Sequence, residues 1–183
     1  MNAYGLTCYD RLGVRLRDLG CVMLDLEPVS PLPTIPPEWL YTSTDPDLSH
    51  VAGLTTEHHT TLLFGLLRNA HEWLLAIAEV LADWDAPPAL TADCVRAFPS
   101  PKPAEPYACI VAELESNYLR DAHARLSLLP HIDTHPTYRP HFPLAYGHGN
   151  RAAAPLALLD DALPLRFRPL GLNYGHRPQG DTE

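Results

Sequence analysis

His59-Thr60-Thr61-Leu62-Leu63-Phe64-Gly65 and His141-Phe142-Pro143-Leu144-Ala145-Tyr146-Gly147 share one seven-residue pattern. Each has a histidine, a small residue two positions later, a leucine, a second apolar residue, an aromatic and a glycine. In an extended strand alternate side chains share a face, so His59 projects beside Thr61 and His141 beside Pro143. Two such strands can bring two imidazoles into one cleft, an arrangement suited to general acid and general base chemistry near neutral pH without a metal. His58 and Thr60 spell the same motif one position earlier, but that register turns the pair to the opposite face. It also breaks the match of leucine, aromatic and glycine to the second copy. His59 is therefore the motif residue, and His58 belongs to the outer face of the strand.

Outward from these stretches, residues 28–37 (PVSPLPTIPP) and 99–106 (PSPKPAEP) exclude a regular helix or a central strand. The second lies between the two copies and is expected to join two similar lobes. Strands are predicted at 21–27, 59–65, 92–98, 107–115, 141–147 and 165–174. Helices are predicted at 66–83, where Leu67, Ala70, Leu74, Ile77 and Leu81 recur at helical spacing, and at 118–129 and 154–163. The coarse order is a strand-helix-strand-strand unit repeated once. Residues 1–174 are expected to form one bilobal domain, with 175–183 a polar, frayed tail.

With 183 residues, 46% of them hydrophobic and 19% charged, the chain can bury one core or two small lobes sharing a seam. No apolar run is long enough to cross a bilayer, and residues 1–10 lack the profile of a signal peptide, so a soluble, cytoplasmic protein is expected. A net charge of −9 with Lys102 the sole lysine argues against a long nucleic acid as partner, while a small nucleotide in a locally positive pocket stays compatible. Cys8, Cys21, Cys94 and Cys109 are widely spaced and read as free thiols, and the apolar surroundings of Cys94 and Cys109 disfavour a nucleophilic role. His131, Asp133, His135, His141 and His148 match no standard zinc spacing, so neither metal nor other cofactor is expected. Nothing in the pattern fixes an oligomeric state.

With the repeat in this register, the two motifs resemble those of the 2H phosphoesterase, or LigT-like, superfamily, which is defined by two His-x-Thr/Ser motifs on facing strands. Pro37-Glu38-Trp39-Leu40-Tyr41 and Gly53-Leu54-Thr55-Thr56-Glu57-His58-His59-Thr60-Thr61-Leu62-Leu63-Phe64-Gly65-Leu66 are similar to the first-motif region of bacteriophage anti-CBASS phosphodiesterases. Tyr138-Arg139-Pro140-His141-Phe142-Pro143-Leu144-Ala145-Tyr146 is similar to their second, where Tyr-x-Pro-His-x-Thr-x-Ala-Tyr is usual. The resemblance runs from about residue 21 to 174, with only the motif regions specific. It implies an α+β, two-lobed LigT-like fold with a pseudo-twofold repeat, antiparallel sheets lining a central cleft and helices outside. It also implies a metal-independent phosphodiesterase that cleaves 3′–5′ linkages of small cyclic di- or trinucleotide defence signals, working in the host cytoplasm if phage-encoded.

On that resemblance His59 and His141 act as acid and base, and Thr61 donates to a nonbridging phosphate oxygen. Pro143 departs from the pattern, because it stands where the family has Thr or Ser and offers neither a hydroxyl nor a backbone N–H. Thr137, Arg139, Tyr146 and His148 are candidates to replace the missing donor. Trp39, Tyr41, Tyr146 and Tyr174 are candidate platforms for nucleotide bases. The substrate-binding set is thus Pro143, Tyr146, Trp39, Tyr41 and Arg139. Two alternatives stay open: an RNA 2′,3′-cyclic phosphodiesterase, and a module that sequesters a nucleotide without cutting it, the latter motivated by Pro143.

Overall fold

Val22, Leu24 and Leu26 are buried while Cys21, Met23 and Asp25 between them are half-buried, a period of two that makes Gly20–Pro28 a strand with one face on the core (β1). In the computed structural model, which describes residues 19–42, 53–56, 58–68, 70–100, 107–133 and 137–175, β1 pairs antiparallel with His59–Leu66 (β2). On its other side β1 pairs with Leu165–Gly175 (β7), and β7 pairs in turn with Leu90–Ala92 (β3). The first sheet therefore runs β2-β1-β7-β3. A second sheet runs β4-β5-β6, formed by Cys94–Pro99, Tyr107–Glu113 and His141–His148. All these pairings are antiparallel, and with three helices among the described residues the chain is of the α+β class.

The last strand in sequence thus completes the sheet begun by the first. Conversely, β4, which precedes the second proline-rich segment, pairs with the strands that follow it. One continuous apolar cluster joins both sheets, with Phe142 against Phe167 at a ring separation of 4.4 Å.

The helices are Leu74–Val80 (α1), Asn117–Leu126 (α2) and Ala153–Asp160 (α3). Ser116 caps α2 by accepting a bond from the Leu119 backbone N–H at 3.3 Å. Leu119, Ala122 and Leu126 form its buried stripe, and α2 packs on β2 while α3 packs on β4. None of the described helices is long and apolar enough to cross a membrane.

Three expectations change. The helix predicted over 66–83 shrinks to a 3-10 turn at Ala70–Trp73 followed by α1, because β2 runs on to Leu66 and the chain then bends through Leu67 and Arg68, the latter at φ 81. Leu66 bridges His131, the Leu67 N–H donates to the Pro130 carbonyl at 3.1 Å, and the Trp73 indole donates to the Leu67 carbonyl at 2.7 Å. The single strand predicted over 92–98 is two strands in different sheets, broken at the exposed Asp93. The chain therefore passes between sheets at Asp93, and β4 and β5 pair with each other within the second sheet. Residues 101–106, like the expected tail beyond 175 and the segment 1–10, lie outside the described residues; Gly175 itself ends β7.

Candidate functional site

The two motif strands are built alike. His59 stands opposite Asp25 and Thr61 opposite Met23, while His141 stands opposite Glu113 and Pro143 opposite Val111. One residue further on, Leu62 and Leu144 are each skipped by the register, which resumes with Leu63 opposite Val22 and Ala145 opposite Ile110. Each motif strand thus carries a bulge at the same place. Beyond it the aromatics Phe64 and Tyr146 stand opposite the cysteines Cys21 and Cys109. The extra residue restores each aromatic to the face that holds the histidine, as the burial pattern agrees: His141, Pro143, Tyr146 and His148 are half-buried and the residues between them buried.

This face settles the geometry of His58 and Thr60. Thr60 is fully buried on the core side, and its hydroxyl has no hydrogen-bond partner among the described residues. His58 lies over Phe142, ring centroids 5.4 Å apart. The residues preceding His59 and following His141 are therefore in direct contact, so the two motif strands begin side by side.

Both motif strands are sheet edges, and each edge is covered by the chain that leads into the other motif. Thr55, four residues before His59, donates its hydroxyl to the Pro143 carbonyl at 2.7 Å and its N–H to the Leu144 carbonyl at 3.2 Å. Tyr138, three residues before His141, donates its hydroxyl to the Thr61 carbonyl at 3.0 Å. His123 bonds the next carbonyl, that of Leu62, at 2.7 Å, and its ring stacks on Tyr138 at 4.0 Å with planes 5° apart. Equivalent carbonyls of the two bulges are thus held from equivalent places. Burial pushes the Tyr138 hydroxyl above its ordinary range, so it stays a donor. Further along, the Ile132 N–H meets the Gly65 carbonyl at 2.8 Å and the Tyr146 N–H meets the Gly53 carbonyl at 2.8 Å. Gly65 needs its lack of a side chain here, with φ +106 and a Cβ that would overlap the Ile132 carbonyl.

A bond from His141 Nδ1 to the Arg139 carbonyl, 2.7 Å long, fixes the tautomer, because a carbonyl only accepts. Nδ1 therefore carries a hydrogen, which leaves Nε2 as the nitrogen that can take up or give a proton. Arg139 contributes this backbone oxygen, while its side chain is exposed. Phe98 on β4 sets its ring edge-on to His141 at 5.2 Å, reaching across β5, so this face of the second sheet is concave.

Thr61 hydrogen-bonds with the Cys21 thiol, which burial pushes up to about 12. A thiol so raised is protonated, and it can donate to the Thr61 oxygen while the Thr61 O–H stays available to a ligand. Cys109, hydrogen-bonded with Tyr146, is pushed up to about 11 by burial, so neither thiol is a nucleophile at neutral pH. Cys21, Cys94 and Cys109 are free; Cys8 lies outside the described residues.

Of the aromatic candidates, Tyr41 and Tyr146 gather with Tyr107 and His148. Tyr41 lies 5.3 Å from Tyr107 and 5.7 Å from His148, and Tyr107 lies 5.9 Å from Tyr146. Trp39 is half-buried in a 3-10 turn at Pro37–Trp39 and packs on the apolar cluster. Tyr174 is a correction: opposite Val22 it faces the core side of the first sheet, away from His59, with its ring edge-on to His71 at 6.1 Å. Thr137 is exposed. His135 lies outside the described residues, and among those described no group of His, Cys, Asp or Glu is arranged to hold a metal.

Tyr107 was not among the sequence candidates, and neither was a charged residue of this face. Arg96 on β4 stands opposite Val111, completing the row Pro143, Val111, Arg96, and its Nε donates to Glu113 at 2.5 Å. Only its place two residues before Phe98 in an alternating strand hinted at it. Comparison with models of known protein families and with characterised proteins finds nothing that matches this chain.

Proposed function

We propose that this chain is a 2H phosphoesterase of LigT-like, two-lobed fold that cleaves 3′–5′ linkages in small cyclic nucleotides used as bacterial defence signals, without a metal. The observation that carries this reading is the matched construction of the motif strands. His59 and His141 occupy the same position before the same bulge, beside an acidic residue in the neighbouring strand, in strands that start side by side. Two matched strands of this kind are what paired imidazoles acting on one phosphate would require. The resemblance to phage anti-CBASS enzymes supplies the substrate class and the expected site of action, the host cytoplasm.

In this mechanism one histidine takes the proton from the ribose 2′-hydroxyl as it attacks phosphorus, and the other protonates the leaving 5′-oxygen. A 2′,3′-cyclic phosphate forms first, and water opens it with the two roles exchanged. His141 acts through Nε2, since Nδ1 is held by the Arg139 carbonyl. The Thr61 hydroxyl donates to a nonbridging oxygen as negative charge grows there. Tyr41, Tyr107 and Tyr146 offer rings for the bases.

Pro143 favours a second reading, a nucleotide-sequestering protein, because one hydroxyl donor is missing from the second motif. An RNA 2′,3′-cyclic phosphodiesterase would use the same histidines. Incubation with 3′,3′-cyclic dinucleotides, cyclic trinucleotides and cyclic-phosphate-ended RNA separates the three. Cleavage of a cyclic nucleotide in chelator, abolished in both His59→Ala and His141→Ala, is the expected result. Binding without product would leave sequestration, and turnover that survives either substitution would end the proposal.

A further inference from the structure

The matched rows that carry the second residue of each motif differ in their polar groups. In the first sheet the row reads Thr61, Met23, Asn173; in the second it reads Pro143, Val111, Arg96. Where the first row has a hydroxyl at its edge and a neutral amide at its third place, the second has no hydroxyl and a guanidinium. Asn173 gives its amide to Asp25, at 3.1 and 3.2 Å, as Arg96 gives Nε to Glu113, so the two residues sit alike against the acid opposite each histidine.

We propose that Arg96 supplies to the phosphate the donor that Pro143 lacks. The inference rests on the phosphodiesterase reading and adds to it a residue that touches substrate. Glu113, the partner of Arg96, stands directly opposite His141, and Phe98, two residues along β4 from Arg96, already touches the His141 ring. The same concavity lets a longer side chain reach inward over Val111. The Glu113 contact occupies Nε and aims the plane of the fork, and the terminal N–H groups of a guanidinium match the oxygens of a phosphodiester. The side chain is 58% exposed, so a ligand can approach it.

The test uses Arg96→Met, Pro143→Thr and the double variant in the full chain, with 3′,3′-cyclic di-AMP for turnover and its 2′-deoxy analogue, which lacks the attacking hydroxyl, for binding. Loss of one donor aimed at developing charge predicts a fall in turnover of about 100-fold in Arg96→Met. Restoring a hydroxyl with Pro143→Thr should recover at least about tenfold of that loss while changing the parent far less, a non-additivity expected only of groups serving one ligand. A surface ion pair broken for structural reasons alone would not be rescued by Pro143→Thr. Unchanged turnover and analogue affinity in Arg96→Met would overturn the role of Arg96 and leave the phosphodiesterase reading standing. A parent protein that neither cleaves nor binds either probe would overturn both.

Discussion

Thr60 separates the core role of a motif residue from its chemical one. Its hydroxyl is buried without a partner among the described residues, and a hydroxyl left unpaired in an apolar interior costs roughly 1–3 kcal/mol. Thr60→Val keeps the shape and removes that group, so thermal unfolding should shift upward or stay level, and turnover should be unaffected. A loss of stability would mean that the hydroxyl is satisfied in solution. The alternation of His59, Thr60 and Thr61 across the strand was legible from the sequence, because side-chain direction in a strand depends only on counting by two. That the hydroxyl of Thr60 finds no partner was not, since it depends on what the first sheet packs against.

At the scale of the elements, the clasp between the motif strands matters more than either strand alone. Tyr138→Phe leaves the Thr61 carbonyl without its donor and should lower stability by about 1–2 kcal/mol. Because that carbonyl sits at the bulge that aims Thr61, turnover should fall further than substrate affinity. Equal loss of both, or no thermal effect, would show that the clasp does not position the motif. The predicted strands at 21–27, 59–65 and 141–147 coincide with β1, β2 and β6, since side chains alternate along β1 and along the motif strands up to their bulges. The helix from 66 failed at its start for a reason outside its own residues: Pro130 and His131 claim the backbone of Leu66 and Leu67. Helical spacing in a sequence cannot register a hydrogen bond offered from more than sixty residues away.

For the whole molecule, the buried thiols and Tyr138 link stability to alkaline pH. Cys21 rises from 9.0 to about 12 and Cys109 from 9.0 to about 11, and Tyr138 rises as well, all chiefly through burial. A folded pKa above the unfolded value means that the native state holds protons the unfolded chain has released. Stability is therefore full below pH 9 and should fall as the pH climbs from there through 11 and 12. Urea midpoints that stay constant from pH 8 to about 11 would contradict the burial of these groups. The catalytic profile lies in a different window. Two imidazoles serving one phosphate should give a bell between about pH 5 and 9, and a monotonic curve would argue against paired histidines.

The sequence by itself determined the duplicated motif, the α+β class, the main strands and the shared face of each histidine with its second neighbour. All of these follow from short-range periodicity, which the chain carries locally. The tertiary structure decided that β7 completes the first sheet and β4 the second, that Thr55 and Tyr138 clasp the opposite motif, and that Arg96 joins the row of Pro143. These arrangements pair backbones up to about 150 residues apart, and which distant strands find each other is settled by burial of a common core rather than by any pattern within one strand.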